Sequence, residues 1–238
     1  MMKQLVIAAA LMAAGSANAD TITQWNFNSV PADTSTATGT LTPNIGAGVI
    51  SLLNGVTSTG FNSGVGSSDT SLAANNSGYQ TTTYAAQGAQ NQLRGVQYSV
   101  STVGFSDITV SYDLRHSNTS SRYEQFQYSV DGTNFTDFAL FDGNVGDGWF
   151  SRSVDLSSIA GADNNASFSF RVVAAFAPTT AGYLASNPAS DYAGGTWRFD
   201  AVTVSGAAVA AVPEPESYAL LVAGLGFVGF ASRRRQAV

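Results

Sequence analysis

Several stretches of the chain alternate apolar and polar residues with the two-residue period of a half-buried β-strand. In residues 108–114, ITVSYDL, the apolar positions are Ile108, Val110, Tyr112 and Leu114. In residues 123–130, YEQFQYSV, the apolar positions Phe126, Tyr128 and Val130 alternate with Gln125, Gln127 and Ser129. Residues 168–176 alternate in the same way from Phe168 to Phe176. These patterns predict three strands that each bury one face.

Turn and bulge signals divide the strands. Asp131-Gly132 directly follows the second alternating stretch and predicts a hairpin turn. Near the end of the body, Trp197 and Phe199 share one face, whereas Val202 and Val204 fall on the other. A change of face within one strand predicts a β-bulge between the two pairs.

Weaker strand patterns occur at residues 22–27, 48–53, 93–100 and 149–154. The total of about nine short strands without an amphipathic helix favours an all-β fold, an antiparallel two-sheet sandwich. We expect a jelly-roll-like arrangement, with an immunoglobulin-type sandwich as the alternative. Residues 54–91 are rich in Ser, Thr, Gly and Asn, which predicts a long surface excursion with one or two irregular strands.

The N-terminus has the form of a secretory signal peptide. Lys3 precedes an apolar stretch at residues 5–14, and Ala17 and Ala19 form a small-x-small site with cleavage expected before Asp20. The signal peptide therefore spans residues 1–19, and export requires signal peptidase and the general secretion machinery.

The C-terminus combines a short apolar run with three arginines. Residues 218–231 are apolar or glycine, and residues 217–232 predict a short C-terminal transmembrane helix. Arg233, Arg234 and Arg235 follow it and would stay in the cytoplasm, which leaves the preceding chain outside. A cleaved signal peptide gives the same orientation. A buried C-terminal helix of a globular domain is the alternative.

Val212, Pro213, Glu214 and Pro215, the apolar run and the arginines together resemble the PEP-CTERM sorting signal, also labelled the ice-binding-protein C-terminal motif. The resemblance implies a bacterium that makes extracellular polysaccharide, transient residence in the inner membrane and cleavage by an exosortase. It further implies delivery to the cell surface or extracellular matrix. The predicted sorting signal spans residues 213–235, after a sandwich at 20–208 and a linker at 209–212.

The body has its own, looser resemblance. Residues 97–135 and the final WRFDAVTVSG resemble the extracellular β-sandwich domain found ahead of such tails. The resemblance implies a jelly-roll-like fold and no established activity.

Charge and composition narrow the possible functions. Without the two terminal segments the body keeps six arginines, no lysine and fourteen acids, a net charge near −8. Nucleic acid is excluded as a partner because phosphate binding needs clustered Lys and Arg. The chain has no cysteine and a single histidine, His116, so thiolate and multi-histidine metal sites are excluded.

No residue pattern indicates catalysis. His116 lies among abundant serines without a GxSxG elbow, and no pair of carboxylates stands out. We expect the protein not to be an enzyme, and we expect His116 to be an exposed loop or strand-end residue.

Structural calcium is the one cofactor that the sequence suggests. Asp200 on the last strand, with Asn26 and Asn28 on the first, offers the oxygen ligands that Ca²⁺ needs. The acidic, glycine-rich residues 141–149 form a second candidate. The alternatives are ordinary polar positions on an outer sheet face and a long turn between strands.

Sugar recognition would use exposed aromatic rings with amide and carboxylate hydrogen bonds. Trp149, Tyr183 and Tyr192 are the candidate carbohydrate-binding residues, and Arg94, Arg115 and Arg122 are candidates for contacts with anionic sugars. The alternatives are aromatic rings in the core and arginines paired with nearby acids. Overall, we expect an exported protein of the surface or exopolysaccharide matrix with a structural or adhesive role. The alternative is a carbohydrate-binding module for extracellular polysaccharide.

Overall fold

The computed structural model describes residues 19–209, and most of the predicted signal peptide, linker and sorting signal lies outside these residues. The described part is built almost entirely from strands, with one 3₁₀ turn at Ala160–Ala162. The strands are β1 (Ala19–Trp25), β2 (Gly48–Leu52), β3 (Thr57–Ser63), β4 (Ser77–Thr82), β5 (Gly95–Val100), β6 (Phe105–His116), β7 (Tyr123–Ser129), β8 (Thr136–Asp142), β9 (Gly148–Asp155), β10 (Ser169–Ala175) and β11 (Trp197–Ala208).

The strands form two antiparallel sheets, which confirms the predicted all-β sandwich. Sheet A has six strands in the order β3-β4-β11-β6-β9, with β1 pairing with β11 as well. Sheet B has five strands in the order β2-β5-β10-β7-β8. All eleven belong to one compact unit that ends at Ala208.

The first and last strands of the body, β1 and β11, pair directly. Trp25 lies opposite Val202 in the β1–β11 register, so the tryptophan does not pair with Trp197 or Phe199. The predicted bulge is confirmed, because the β11–β6 register shifts between Asp200 and Thr203. Ala201, within the shift, has φ near 47°, the left-handed conformation that bulges often use.

The core lies between the inward faces of the two sheets and is rich in aromatic rings. Tyr98 is central to it: it stacks on Phe170 with centroids 4.8 Å apart and meets Trp25 edge-on at 5.4 Å. Trp25, Trp197 and Tyr98 are fully buried. Because each ring removes a large apolar surface from water, burial of this cluster stabilises a chain that has no cysteine to form disulfides.

Residues 54–91 differ from the predicted surface excursion. They contain two regular strands, and β4 lies inside sheet A between β3 and β11. Tyr79 of β4 packs against Phe27 and Phe61, with centroids 5.6 and 5.9 Å apart. A stretch rich in Ser and Thr lacks strong alternation, so its burial depends on the neighbouring strands.

The residues between β3 and β4, 64–76, cover the outer face of sheet A. Trp149 Nε1 of β9 donates a hydrogen bond to the Val65 carbonyl at 3.0 Å, and Ser67 Oγ donates to Asp200 Oδ2 of β11 at 2.6 Å. We call residues 64–76 the cover loop. Among residues 19–209, no helix is long and apolar enough to cross a membrane; the predicted span at 217–232 lies outside the described residues.

Candidate functional site

The outer face of sheet B carries one polar residue from each of its five strands at matching register. Because apolar side chains alternate with these positions and fill the core, the polar ones point away from it. We call this set the polar row; it consists of Ser51, Gln97, Arg171, Gln127 and Asp137. The alternation in β7 and β10 predicted that Gln127 and Arg171 point away from the core. Only the pairing of the strands brings all five residues together.

Two hydrogen bonds hold the polar row in place. Arg171 Nε donates to Gln97 Oε1 at 2.8 Å, and Gln127 Nε2 donates to Asp137 Oδ1 at 2.8 Å. Partial burial lowers the pKa of Arg171 below its ordinary value, with no carboxylate contributing to the shift. The row therefore presents a positive charge at its centre.

The β7–β8 hairpin loop folds over the polar row. Asp131 Oδ1 accepts hydrogen bonds from the backbone N–H groups of Thr133 and Asn134 at 2.8 and 2.7 Å, and these bonds lower the pKa of Asp131. The loop so fixed places the Phe135 ring over Arg171, with Cζ 3.4 Å from the ring centroid. The guanidinium thus stacks on an aromatic plane as well as bonding through Nε.

A hollow of about 430 Å³ lies beside the polar row. Its floor includes Ser99 and Ser169, whose hydroxyls are 2.9 Å apart, and its rim includes the hairpin loop residues 131–133. Serine and threonine hydroxyls, the Asp131 carboxylate and apolar residues such as Phe168 line it, and its size falls within the range of small-molecule sites. The arrangement suits a hydroxyl-rich ligand held by many hydrogen bonds.

A second candidate site lies on sheet A beneath the cover loop. Asp113 and Asp200 occupy directly opposite positions on β6 and β11, and both are buried. Burial, with smaller contributions from Asp69 and Asp113, raises the pKa of Asp200 to about 8. The Ser68 backbone N–H donates to Asp113 Oδ2. Two buried carboxyl groups on neighbouring strands are costly unless a proton or a cation neutralises them.

Asn76 adds a further oxygen to this acidic cluster. Its side chain is 3% exposed and its Oδ1 has no hydrogen-bond partner. A Cβ placed on Gly64 would overlap both Asn76 Oδ1 and Asp200 Oδ2, so the two oxygens are close neighbours. A buried amide oxygen without a donor is rare in folded proteins and indicates a missing partner.

The predicted calcium set is only partly assembled. Asn28 Nδ2 donates to Asp69 Oδ2 at 2.6 Å, so Asn28 and Asp200 both border the cover loop but bind different residues of it. Asn26 instead accepts a long 3.3 Å hydrogen bond from the Asn28 backbone. Across residues 19–209 no three His, Cys, Asp or Glu side chains have the spacing of a metal site. A cation here would take at most two carboxylates, with amide, hydroxyl and main-chain oxygens completing its shell.

The acidic residues of the second predicted calcium site are used in ion pairs. Asp142 accepts two hydrogen bonds from Arg122, at 2.7 and 2.6 Å, and Asp147 pairs with Arg115. The plainer interpretation of residues 141–149 as a connection between β8 and β9 therefore fits the structure better. The same contacts engage two of the three arginines expected to reach anionic sugars.

The expected exposure of His116 is wrong. The residue does end β6, but its side chain is fully buried. Its Nδ1 donates to the Ser121 carbonyl at 2.7 Å, its Nε2 lies 3.1 Å from Glu124 Oε2, and Arg152 Nε donates to Glu124 Oε1 at 2.6 Å. The histidine belongs to a buried polar network, and the sequence shows no signal for it because Glu124 and Arg152 come from two other strands, β7 and β9.

The three aromatic residues expected to bind carbohydrate do not form one platform. Tyr183 is 1% exposed, which corrects the expectation of an exposed ring, and it stacks on Tyr192 with centroids 4.6 Å apart. Tyr192 also donates its hydroxyl to the Ala85 carbonyl at 2.7 Å, so this pair ties two loops together. Trp149 is half-buried against the cover loop on the other sheet. No sequence pattern pointed to Arg171 of β10 or to Phe135 of the β7–β8 loop, which stack on each other on the outer face of sheet B.

The tail of the chain has a match among known families. Residues 211–235 match the family model described as the PEP-CTERM protein-sorting motif. The chain carries a PEP-CTERM tail. The match covers the predicted motif from Val212 to Pro215 and the three arginines, and it confirms the resemblance. No curated protein matches the chain significantly in sequence.

The solved structures that are similar to this chain share little sequence with it. One is the CBM22-1 xylan-binding domain from Paenibacillus barcinonensis Xyn10C, with 13% identity, a TM-score of 0.47, and coverage of 82% of this chain and 100% of that one. The family 11 carbohydrate-binding module from Clostridium thermocellum has 14% identity and a TM-score of 0.36. The match covers 72% of this chain and 93% of that one.

A further match is the CBM22-1-GH10 part of the Clostridium thermocellum endo-1,4-beta-D-xylanase 10B, with 14% identity and a TM-score of 0.38. That match covers 58% of this chain and 23% of the other, so the chain spans about a quarter of the xylanase modules. At such identities and TM-scores these similarities carry no information on a ligand of this protein.

Proposed function

We propose that this is an exported protein that its PEP-CTERM tail sorts, through exosortase cleavage, to the cell surface or the exopolysaccharide matrix. Its role there is structural or adhesive, without catalysis. The observation that carries the proposal is the sorting-motif match at residues 211–235, which directly follows a separate β-sandwich. The order of the parts fits a body that folds outside while an apolar segment holds the chain in the membrane.

Two features of the body support binding rather than chemistry. His116 is buried with both ring nitrogens facing protein acceptors, so it does not lie where a substrate would reach it. The accessible groups of the polar row are amides, a hydroxyl, a carboxylate and a stacked guanidinium, which are groups that recognise ligands.

Mass spectrometry of the mature protein tests the sorting proposal. The protein should be recovered from the surface or matrix fraction with a C-terminus near Pro213 and an N-terminus at Asp20. In a strain that lacks the exosortase it should remain in the membrane fraction and keep its arginines. Recovery of a surface form that still contains Arg235 would refute the proposal.

A second candidate function, a carbohydrate-binding module, is favoured by the polar row and the adjacent hollow. Sugars bind through several hydrogen bonds to hydroxyls combined with contact against an aromatic ring, and this face offers both. A glycan array probed with the full chain, with and without calcium, tests it. Gln97→Ala should weaken any binding observed, whereas Gln24→Ala on sheet A should not; equal effects of the two variants would exclude this face.

Calcium is the cofactor that we propose for the acidic cluster under the cover loop. The donors present there, Asp113, Asp200 and the unpartnered Asn76 Oδ1, are the hard oxygen ligands that Ca²⁺ prefers. The cation would neutralise the two buried carboxyl groups and would pin the cover loop onto sheet A. Isothermal titration calorimetry with CaCl₂ on protein stripped with EDTA tests this assignment. Asp200→Asn should lower the calcium affinity sharply, and an unchanged affinity in this variant would refute the assignment.

A further inference from the structure

The arginines of the described body differ in what they contact. Arg115, Arg122 and Arg152 each pair with a carboxylate. Arg198 donates to the Ser63 carbonyl and to Gln80, and Arg94 donates to the Thr83 carbonyl and to Gln90. Arg171 differs from all of them, because within residues 19–209 only its Nε has a hydrogen-bond partner. Its two terminal amines remain available to a ligand.

The position of the Arg171 guanidinium is set before any ligand arrives. The bond from Nε to Gln97 fixes one edge of the group, and the Phe135 ring fixes its plane at 3.4 Å. A planar guanidinium held in this way presents its terminal amines as a rigid fork, and such a fork matches the two oxygens of a carboxylate. Pre-ordering also reduces the conformational entropy that binding would cost.

We propose that the polar row of sheet B binds a carboxylate-bearing polysaccharide, with the uronate group held by Arg171. This proposal rests on the second candidate function above and specifies its ligand class. The hydroxyls of Ser99 and Ser169 in the adjacent hollow would accept and donate hydrogen bonds to the sugar hydroxyls.

The charge of the body requires that a polyanion be held by a local contact. A body with six arginines and fourteen acids repels acidic polymers at long range. Binding must therefore come from a direct contact with a cationic side chain, and Arg171 offers two terminal amines that donate to no group among residues 19–209. Added salt should screen the general repulsion and leave the direct contact in place, so affinity should fall little as ionic strength rises.

The experiment compares two polymers with the same sugar backbone, one carrying free carboxylates and the other carrying methyl esters. Polygalacturonate and its methyl-esterified form share one backbone, and affinity electrophoresis or calorimetry with the purified full chain measures each. The wild-type protein should bind polygalacturonate more tightly than the ester. Arg171→Gln should lower the affinity for polygalacturonate by about 10- to 100-fold, as expected for a charge-assisted hydrogen-bonded pair, and should leave the ester unchanged.

Two further variants control for fold and for charge. Arg94→Gln removes another arginine without a carboxylate partner, and it should leave both affinities unchanged. Arg171→Lys keeps the charge but loses the fork and the stacking, so it should bind with intermediate affinity. Circular dichroism and the melting temperature show whether each variant is folded; if Arg171→Gln is not, the lysine variant alone decides.

Each of the remaining outcomes would refute a different part of the proposal. Equal or tighter binding of the methyl ester by the wild-type protein would refute the uronate assignment and leave carbohydrate binding standing. No binding of either polymer and no signal on the glycan array would refute the carbohydrate-binding function itself. Binding of polyglutamate as tight as that of polygalacturonate would refute a polysaccharide and indicate an acidic protein partner.

Discussion

Asp200 should make the stability of the protein fall as the pH rises from about 4 to about 8 in the absence of calcium. Its pKa is 3.8 in an unfolded reference chain and about 8 in the folded protein, mainly because burial disfavours the charged form. Between these two values the folded state keeps a proton that the unfolded state releases. Stability is therefore complete below the unfolded pKa and is lost as the pH rises through the folded pKa.

The size of the effect follows from the shift. Each pKa unit corresponds to 1.36 kcal/mol, so the shift from 3.8 to about 8 amounts to about 6 kcal/mol over the whole window. This is a large share of the roughly 5–15 kcal/mol that stabilises a typical domain. The carboxylates with lowered pKa values act in a separate, more acidic range and do not obscure the effect; they are Asp33, Asp131, Asp142 and Asp155.

Urea unfolding followed by tryptophan fluorescence measures the effect, because Trp25 and Trp197 are fully buried. In EDTA, the wild-type protein should lose stability between about pH 5 and pH 8, and Asp200→Asn should lose much less because the amide does not ionise. At the higher pH, added calcium should restore the stability of the wild-type protein but should not change that of Asp200→Asn. Asp191→Asn, at an exposed loop position, is the matched control. If Asp200→Asn keeps the wild-type pH slope, the reasoning fails.

Three further perturbations follow from the contacts described. Glu124→Gln should destabilise the protein by about 3–5 kcal/mol, because it removes the carboxylate that pairs with the partly buried Arg152 guanidinium and that lies beside His116 Nε2; chemical denaturation measures it. Gly64→Ala should cost at least about 1–3 kcal/mol in the same assay, because its Cβ would overlap Asn76 Oδ1 and Asp200 Oδ2. Asp131→Ala should speed amide hydrogen exchange at Thr133 and Asn134, which lose their acceptor.

Each of these perturbations has a control on the same chain. Asp155→Asn changes an exposed acid at the end of β9 and should leave the denaturation midpoint almost unchanged. If Glu124→Gln changes the midpoint as little as Asp155→Asn does, the importance of the buried network is contradicted. A Cβ on Gly148 would meet only the Val145 carbonyl, at 3.6 Å. Gly148→Ala should therefore be mild, and a cost similar to that of Gly64→Ala would contradict the overlap. Unchanged exchange in Asp131→Ala would show that the loop does not depend on its carboxylate.

The sequence predicted the parts of this fold that depend on short-range order. A period of two in β6, β7 and β10 requires a half-buried strand wherever those residues lie. The change of face between Phe199 and Val202 required a bulge, and Asp131-Gly132 required a turn, because both follow from backbone geometry over a few residues. The tail could also be recognised, since its motif, apolar run and arginines are consecutive.

Only the tertiary structure decided the sites. Asp113 and Asp200 are 87 positions apart in the printed sequence, and they meet because β6 pairs with β11. Arg171 meets Gln97 and Phe135 through the pairing of β10 with β5 and the fold of the hairpin loop. His116 is buried because Glu124 and Arg152 approach it from neighbouring strands. Alternation determines which way a side chain faces, whereas strand order and register determine what it faces, and these depend on contacts distant in sequence.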